Sequence, residues 1–158
     1  MSIWNELEKD PFLVSFHDDT LNMLDVTTEY IHIRLSISSN TYFILENELK
    51  NVYIDNENNE LYFDMVFFEP TVNEDSEYPS IIKFEESYSI ISLERDGKEK
   101  GALYFQRDDA LNAEPIWALK FSYGRCMVKK FAEMPSKQYN SQPEIYDKRF
   151  DLEEFLLR

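Results

Sequence analysis

Residues 30–37 read YIHIRLSI, and residues 60–68 read ELYFDMVFF. In the first stretch Ile31, Ile33, Leu35 and Ile37 occupy every second position, with His32, Arg34 and Ser36 between them. In the second, Leu61, Phe63, Met65 and Phe67 alternate with Glu60, Tyr62, Asp64, Val66 and Phe68. A period of two belongs to the β-strand, whose successive side chains point to opposite faces. The first stretch predicts a strand with one face in the core and a wet face carrying His32, Arg34 and Ser36. The second predicts a strand that is apolar on one side and mixed on the other. The two apolar sets are expected to share one core, because a slip of one residue would turn either set to solvent.

Turn residues punctuate the rest of the chain. Ser38-Ser39-Asn40 precedes a short apolar run at 42–45. Asp55 to Asn59 separates a run at 52–54 from the Leu61 strand. Asp96-Gly97 lies between apolar runs at 88–93 and 103–106 and predicts a hairpin, since both residues tolerate positive φ. Gly124 divides 117–123 from 126–131 and marks a turn or bulge. With three glycines in the chain, most turns fall to Asn, Asp and Ser. Helical signal is confined to the ends. Ser2 can cap a helix over 3–8 that Pro11 stops, and 151–157 reads as a short helix with acids in its first turn. Residues 134–143 read as a polar loop bracketed by prolines. The expected fold is therefore mainly β: seven to ten strands in an antiparallel meander, forming a sandwich or a curved sheet, with one or two short helices at the termini.

A chain of 158 residues is expected to make a single domain over 1–158, long enough to bury a core without staples. Its hydrophobic content of 43% and aromatic content of 15% are those of a folded domain rather than an acidic disordered tail. Cys126 is the one cysteine, so no intrachain disulfide forms and nothing marks an oxidising compartment. The opening residues carry no basic and apolar leader, and no apolar run reaches the roughly 20 residues that span a bilayer. The expected location is the cytoplasm.

The charge is strong and uneven. Sixteen Lys and Arg stand against 31 Asp and Glu, a formal net of −15. Residues 125–158 hold seven basic and six acidic residues, so they do not share the acidic field. Residues 51–82 contain no Lys or Arg but carry Asp55, Glu57, Glu60, Asp64, Glu69, Glu74, Asp75 and Glu77. A field of this sign repels nucleic acid and anionic membrane and attracts basic proteins. Those eight carboxylates are the expected partner-binding residues.

The candidates for chemistry each have a plainer reading. His17-Asp18-Asp19 has the look of a metal or catalytic dyad, but the chain's one other histidine is His32, and a metal site needs several converging ligands. Turn formation by Asp18 or Asp19 accounts for the stretch. Cys126 has basic neighbours, which lower a thiol pKa, yet a lone Cys in a strand reads as a small buried hydrophobe. The 55–60 turn has oxygens enough for calcium but lacks the glycine of a calcium loop. Trp117, Leu119, Phe121 and Tyr123 lie at strand spacing and read as core; as a stacking platform for single-stranded nucleic acid they would need a basic groove. The expectation is no catalytic residue, no metal and no cofactor.

Ser15-Phe16-His17-Asp18-Asp19, followed by Leu21 and the 30–37 strand, resembles the opening of small bacterial immunity proteins of polymorphic toxin systems, in which an "FHD" turn precedes a β-meander. The runs at 103–105 and 118–121 continue that pattern. The resemblance implies a non-enzymatic protein that binds and blocks a co-encoded toxin, and it brings no catalytic residue. The leading expectation is an immunity or inhibitor protein whose acidic face docks on a basic toxin, such as a nuclease. The alternative is a β-sandwich enzyme or small-ligand-binding protein with a cleft lined by Tyr and carboxylates.

Overall fold

The computed structural model describes residues 3–37, 41, 59–79, 82, 88–107, 115–135 and 149–158. Its elements are α1 (Ile3–Lys9), β1 (Thr20–Val26), β2 (Tyr30–Ile37), β3 (Asn59–Phe68), β4 (Thr71–Val72), β5 (Tyr88–Arg95), β6 (Lys100–Arg107), β7 (Trp117–Ser122), β8 (Arg125–Pro135) and α2 (Leu152–Leu157). The eight strands form one antiparallel sheet in the order β4-β7-β6-β5-β1-β2-β3-β8. The mainly β expectation holds, as a curved sheet and not a sandwich. The apolar runs expected at 42–45 and 52–54, and the turn at 55–58, fall outside the described residues. The loop expected from 134 gives way at its start to β8, which runs on through Pro135.

The order follows from two meanders, β1-β2-β3 and β5-β6-β7, each ending in a strand given to the other. β3 passes through Glu69 and Pro70 into β4, which pairs with β7. β7 passes through Tyr123 and Gly124 into β8, which pairs with β3 along its length. Two-residue connections can join opposite ends of the sheet only if it curls until those ends are close. The Gly124 N–H donates to the Phe68 carbonyl at 2.9 Å where the two crossings meet, and Glu69 takes a positive φ of 55° there. The sheet nevertheless stays open, with β4 and β8 as its edges.

The concave side holds the core. Ile31, Ile33, Leu35 and Ile37 face Phe67, Met65, Phe63 and Leu61 in direct register, and all eight are buried in one cluster. The curl brings β7 over β3, so that the Phe67 and Phe121 rings meet edge to face at 4.8 Å between centroids. Helix α1 covers the β3–β8 end of the same side: Leu7 is buried, Trp4 lies 5.7 Å from Phe63, and Glu8 accepts a hydrogen bond at 3.0 Å from the Val128 N–H. Val128 is on the edge strand, so this carboxylate blunts an edge otherwise open to pairing.

Between the meanders the ladder is thin, with two pairs joining β1 to β5, Thr20 to Ser89 and Leu21 to Tyr88. The Phe16-His17-Asp18-Asp19 turn extends that seam. Asp18 N–H donates to Ile90 O, Ile90 N–H to Asp19 O and Leu93 N–H to Ser15 O, at 2.8–2.9 Å. Phe16 and Asp18 both adopt positive φ, 55° and 66°, a costly conformation for a bulky Phe. The buried Phe16 ring, 5.8 Å from Phe63, anchors it.

The Asp96-Gly97 hairpin forms as expected, with Gly97 at φ 127° between β5 and β6. Gly101 serves a different end. A Cβ there would stand 2.6 Å from Phe12 Cζ and 3.0 Å from Phe121 Cζ, so the absence of a side chain lets Phe12 lie flat over the sheet and stack on Phe67. Truncating Phe63, which meets both Trp4 and Phe16, should cost about 3–5 kcal/mol. The urea midpoint of Phe63→Ala checks this; an unchanged midpoint would place the ring outside the core.

Candidate functional site

The face of β2 expected to be wet is not wet. His32, Arg34 and Ser36 are all buried, and so is Asp64, with 0% exposure for both His32 and Asp64. The cause is α2, which packs on the convex side across β2, β3 and β8. Asp151 caps the helix, its carboxylate accepting from the N–H groups of Glu153 and Glu154 at 3.0 and 3.3 Å. Phe155 is buried, and Phe150 just before the helix stacks on His32 with centroids 3.8 Å apart. At the other end Lys129 Nζ donates to the carbonyls of Phe155, Leu156 and Arg158 at 2.9, 3.4 and 3.1 Å. A cation on the carbonyls of the last turn complements the helix dipole.

Under this cover lies a row of charged groups. His32 sits between two carboxylates, with Nδ1 3.0 Å from Asp25 Oδ2 and Nε2 2.6 Å from Asp64 Oδ1. Arg34, directly opposite Asp64 in the β2–β3 register, donates from Nε to Oδ1 at 2.8 Å and from Nη2 to Oδ2 at 3.3 Å, a two-pronged grip. Arg158 Nη1 donates to Oδ2 at 2.9 Å. Burial by itself would raise the Asp64 carboxyl pKa. The hydrogen bond and attraction of His32, then those of Arg34, outweigh burial and hold it well below the usual carboxylate range. The Arg34 guanidinium lies over the Phe131 ring at 3.7 Å, which gives its other face an aromatic partner.

This corrects the assignment of Asp64 to an exposed docking face: its carboxylate is committed inside the protein. Asp55 and Glu57 lie outside the described residues, as does the side chain of Glu60. Glu69, Glu74, Asp75 and Glu77 are exposed and follow one another along one margin of the sheet, on the segment that runs beside β7. The segment after β3 is stitched there to β7. Glu77 and Ala118 exchange two backbone hydrogen bonds of 2.9 Å, the Asn73 N–H donates to Lys120 O at 2.8 Å, and Ser76 Oγ accepts from the Lys120 N–H at 2.9 Å. Asp75 reaches Lys120 Nζ at 3.2 Å and, through that hydrogen bond, raises the ammonium's pKa. Carboxylates along an edge also discourage pairing with another sheet.

The other candidates resolve into structure. His17 is exposed, and its Nδ1 donates to the Ile91 carbonyl at 2.9 Å, with Asp18 3.4 Å from Nε2. Asp19 is buried and accepts from the Thr41 hydroxyl at 2.6 Å. Burial, followed by the Glu8 charge, pushes the Cys126 thiol far up, away from nucleophilic character. Leu119 and Phe121 are core, with Trp117 and Tyr123 packed against it. Among the described residues no group of three His, Cys, Asp or Glu side chains is placed to hold a metal ion. Asp25, His32 and Asp64 stand in a line, with the ring between the carboxylates rather than all three facing one point.

Removing the Asp64 charge leaves buried cations without their counterion. Asp64→Asn should lose about 3–5 kcal/mol at neutral pH. Because the folded-state pKa is depressed, the carboxylate's contribution is complete above its unfolded value near ~3.9 and disappears as pH falls through the folded value. The deficit of the variant should therefore shrink in strong acid. Urea denaturation of both proteins from neutral pH into acid checks this; equal stability at neutral pH would mean that the carboxylate is not holding the cluster. No protein-family model, no curated protein and no solved structure matches the chain.

Proposed function

We propose that the chain is a non-enzymatic inhibitor of the immunity-protein kind, which binds a basic protein such as a toxin nuclease and neutralises it in the bacterial cytoplasm. The observation that carries this reading is the placement of Glu69, Glu74, Asp75 and Glu77, all exposed, along one margin of the sheet on a segment hydrogen-bonded to β7. Carboxylates on a preformed surface steer an oppositely charged partner to one orientation, and little conformational freedom is lost on binding. The FHD turn supports the same reading through the resemblance, and its place in the fold, bonding Ser15, Asp18 and Asp19 to β5, gives it a structural task. Among the described residues no helix is long and apolar enough to cross a membrane, which is compatible with a cytoplasmic site of action.

The protein encoded by the neighbouring gene is the partner to test. Its association should slow markedly as salt rises, since screening sets in over about 8 Å at physiological ionic strength, while dissociation changes less. Replacing Glu69, Glu74, Asp75 and Glu77 together by Gln or Asn should reproduce that slowing at low salt. The fold should persist, because exposed carboxylates contribute little to stability. The matching control removes Glu144, Asp147, Glu153 and Glu154, which lie outside the acidic block of 51–82 in the sequence. Stopped-flow binding decides: equal slowing by both sets would reduce the effect to net charge, and no slowing by either would place the partner elsewhere.

A further inference from the structure

The guanidinium of Arg158 occupies a site with two walls. The sheet supplies Asp64 Oδ2 at 2.9 Å and the Lys130 carbonyl at 3.3 Å, both accepting from Nη1, with the Phe131 ring centroid 5.4 Å from Cζ. Helix α2 supplies Glu154, whose two oxygens accept from Nε and Nη2 at 3.1 and 3.2 Å, and the Phe155 ring at 5.4 Å. The side chain keeps 18% of its exposure. Several oxygen acceptors around a cation that lies between aromatic rings suit a planar fork of N–H donors far better than a compact ammonium.

The two walls differ in permanence. The sheet wall belongs to β3 and β8, and His32 and Arg34 on β2 aim its carboxylate from the same convex face. The helix wall has six residues, far below the length at which a helix is stable alone. Phe155, Phe150, the Lys129 cap and Arg158 itself hold it down. Lifting it returns Asp64, Lys129 and Arg158 toward water, and their hydration offsets part of the lost contact. Such an element opens locally, at a free energy below that of global unfolding.

We propose that Asp64, the Lys130 carbonyl and Phe131 form a receptor for an arginine side chain, that Arg158 fills it in cis, and that opening of α2 frees it for an arginine of a basic partner. The last step rests on the proposed basic partner; the receptor does not. The acidic field of the chain concentrates such cations at the surface.

The experiment uses Arg158→Ala with ethylguanidinium as the probe, at concentrations far below denaturing ones, and hydrogen exchange as the readout. The variant should exchange the amides of 152–157 about tenfold faster or more, the scale of a lost hydrogen bond to a charged group, while β2 and β3 keep their protection. Ethylguanidinium should restore that protection saturably, and ethylammonium should not. Failure of restoration, or equal restoration by ethylammonium, overturns the receptor. Wild-type protein gives an independent arm if the variant does not fold. There ethylguanidinium should compete with Arg158 and speed exchange in α2 without touching β3, and no change in α2 overturns the proposal. If ethylguanidinium binds as described while the four substitutions at the acidic margin leave partner association unchanged, the docking surface is wrong and the receptor stands.

Discussion

One carboxylate organises the convex side of this protein. Asp64 on β3 is fully buried and accepts hydrogen bonds from His32 and Arg34 on β2 and from Arg158 beside α2. An unpaired carboxylate at that depth would be prohibitively costly, so its presence fixes the neighbouring side chains. It also fixes the cover. Phe150 over His32 and Phe155 beneath α2 exclude water from a layer of polar groups that a two-sided sheet would otherwise show to solvent. Such a cluster need not add net stability over an apolar core of the same shape. What it supplies is discrimination, because a shifted register or a misplaced helix leaves a buried charge without a partner.

The concave side obeys a different constraint. Crossings of two residues at Glu69-Pro70 and Tyr123-Gly124 tie opposite margins of the sheet and force the curl that brings Phe67 against Phe121. The same crossing leads β3 out of the core and into the acidic margin, so one strand carries both the buried Asp64 and the route to the exposed Glu69, Glu74, Asp75 and Glu77. The uneven charge of the chain thus has two structural outlets. Exposed carboxylates line one margin, while among the described basic residues of 125–158 Lys129 caps α2 and Arg158 lies on Asp64.

The core face was legible because it depends on local alternation. Ile31, Ile33, Leu35 and Ile37 meet Phe67, Met65, Phe63 and Leu61 as their period of two requires, and the Asp96-Gly97 turn and the final helix follow from residue chemistry close in sequence. The second face was not legible. Alternation distinguishes polar from apolar positions, but it does not say whether the polar ones are covered. The cover of His32 comes from Phe150 and that of Arg34 from Phe131, both far along the chain. One signal did exist: with the apolar sets in register, Arg34 falls opposite Asp64, and a cross-strand pair of opposite charge beside a histidine hints at a shared environment. Grouping Asp64 with seven acidic neighbours by composition hid that pairing. The FHD stretch was legible as a turn, but its bonds to Ile90 and Leu93 depend on strand order, which local residues do not encode.

The most direct test of this account is the titration of the Asp64 carboxyl followed by its carbon chemical shift in the folded protein. Cations packed around a buried carboxylate predict that it remains ionised while ordinary aspartates protonate, giving no inflection until the fold itself is lost in acid. An inflection at or above the ordinary aspartate value of about 3.9 would contradict the account. It would mean that His32, Arg34 and Arg158 do not hold a charged Asp64, and that the cover of α2 rests on something else.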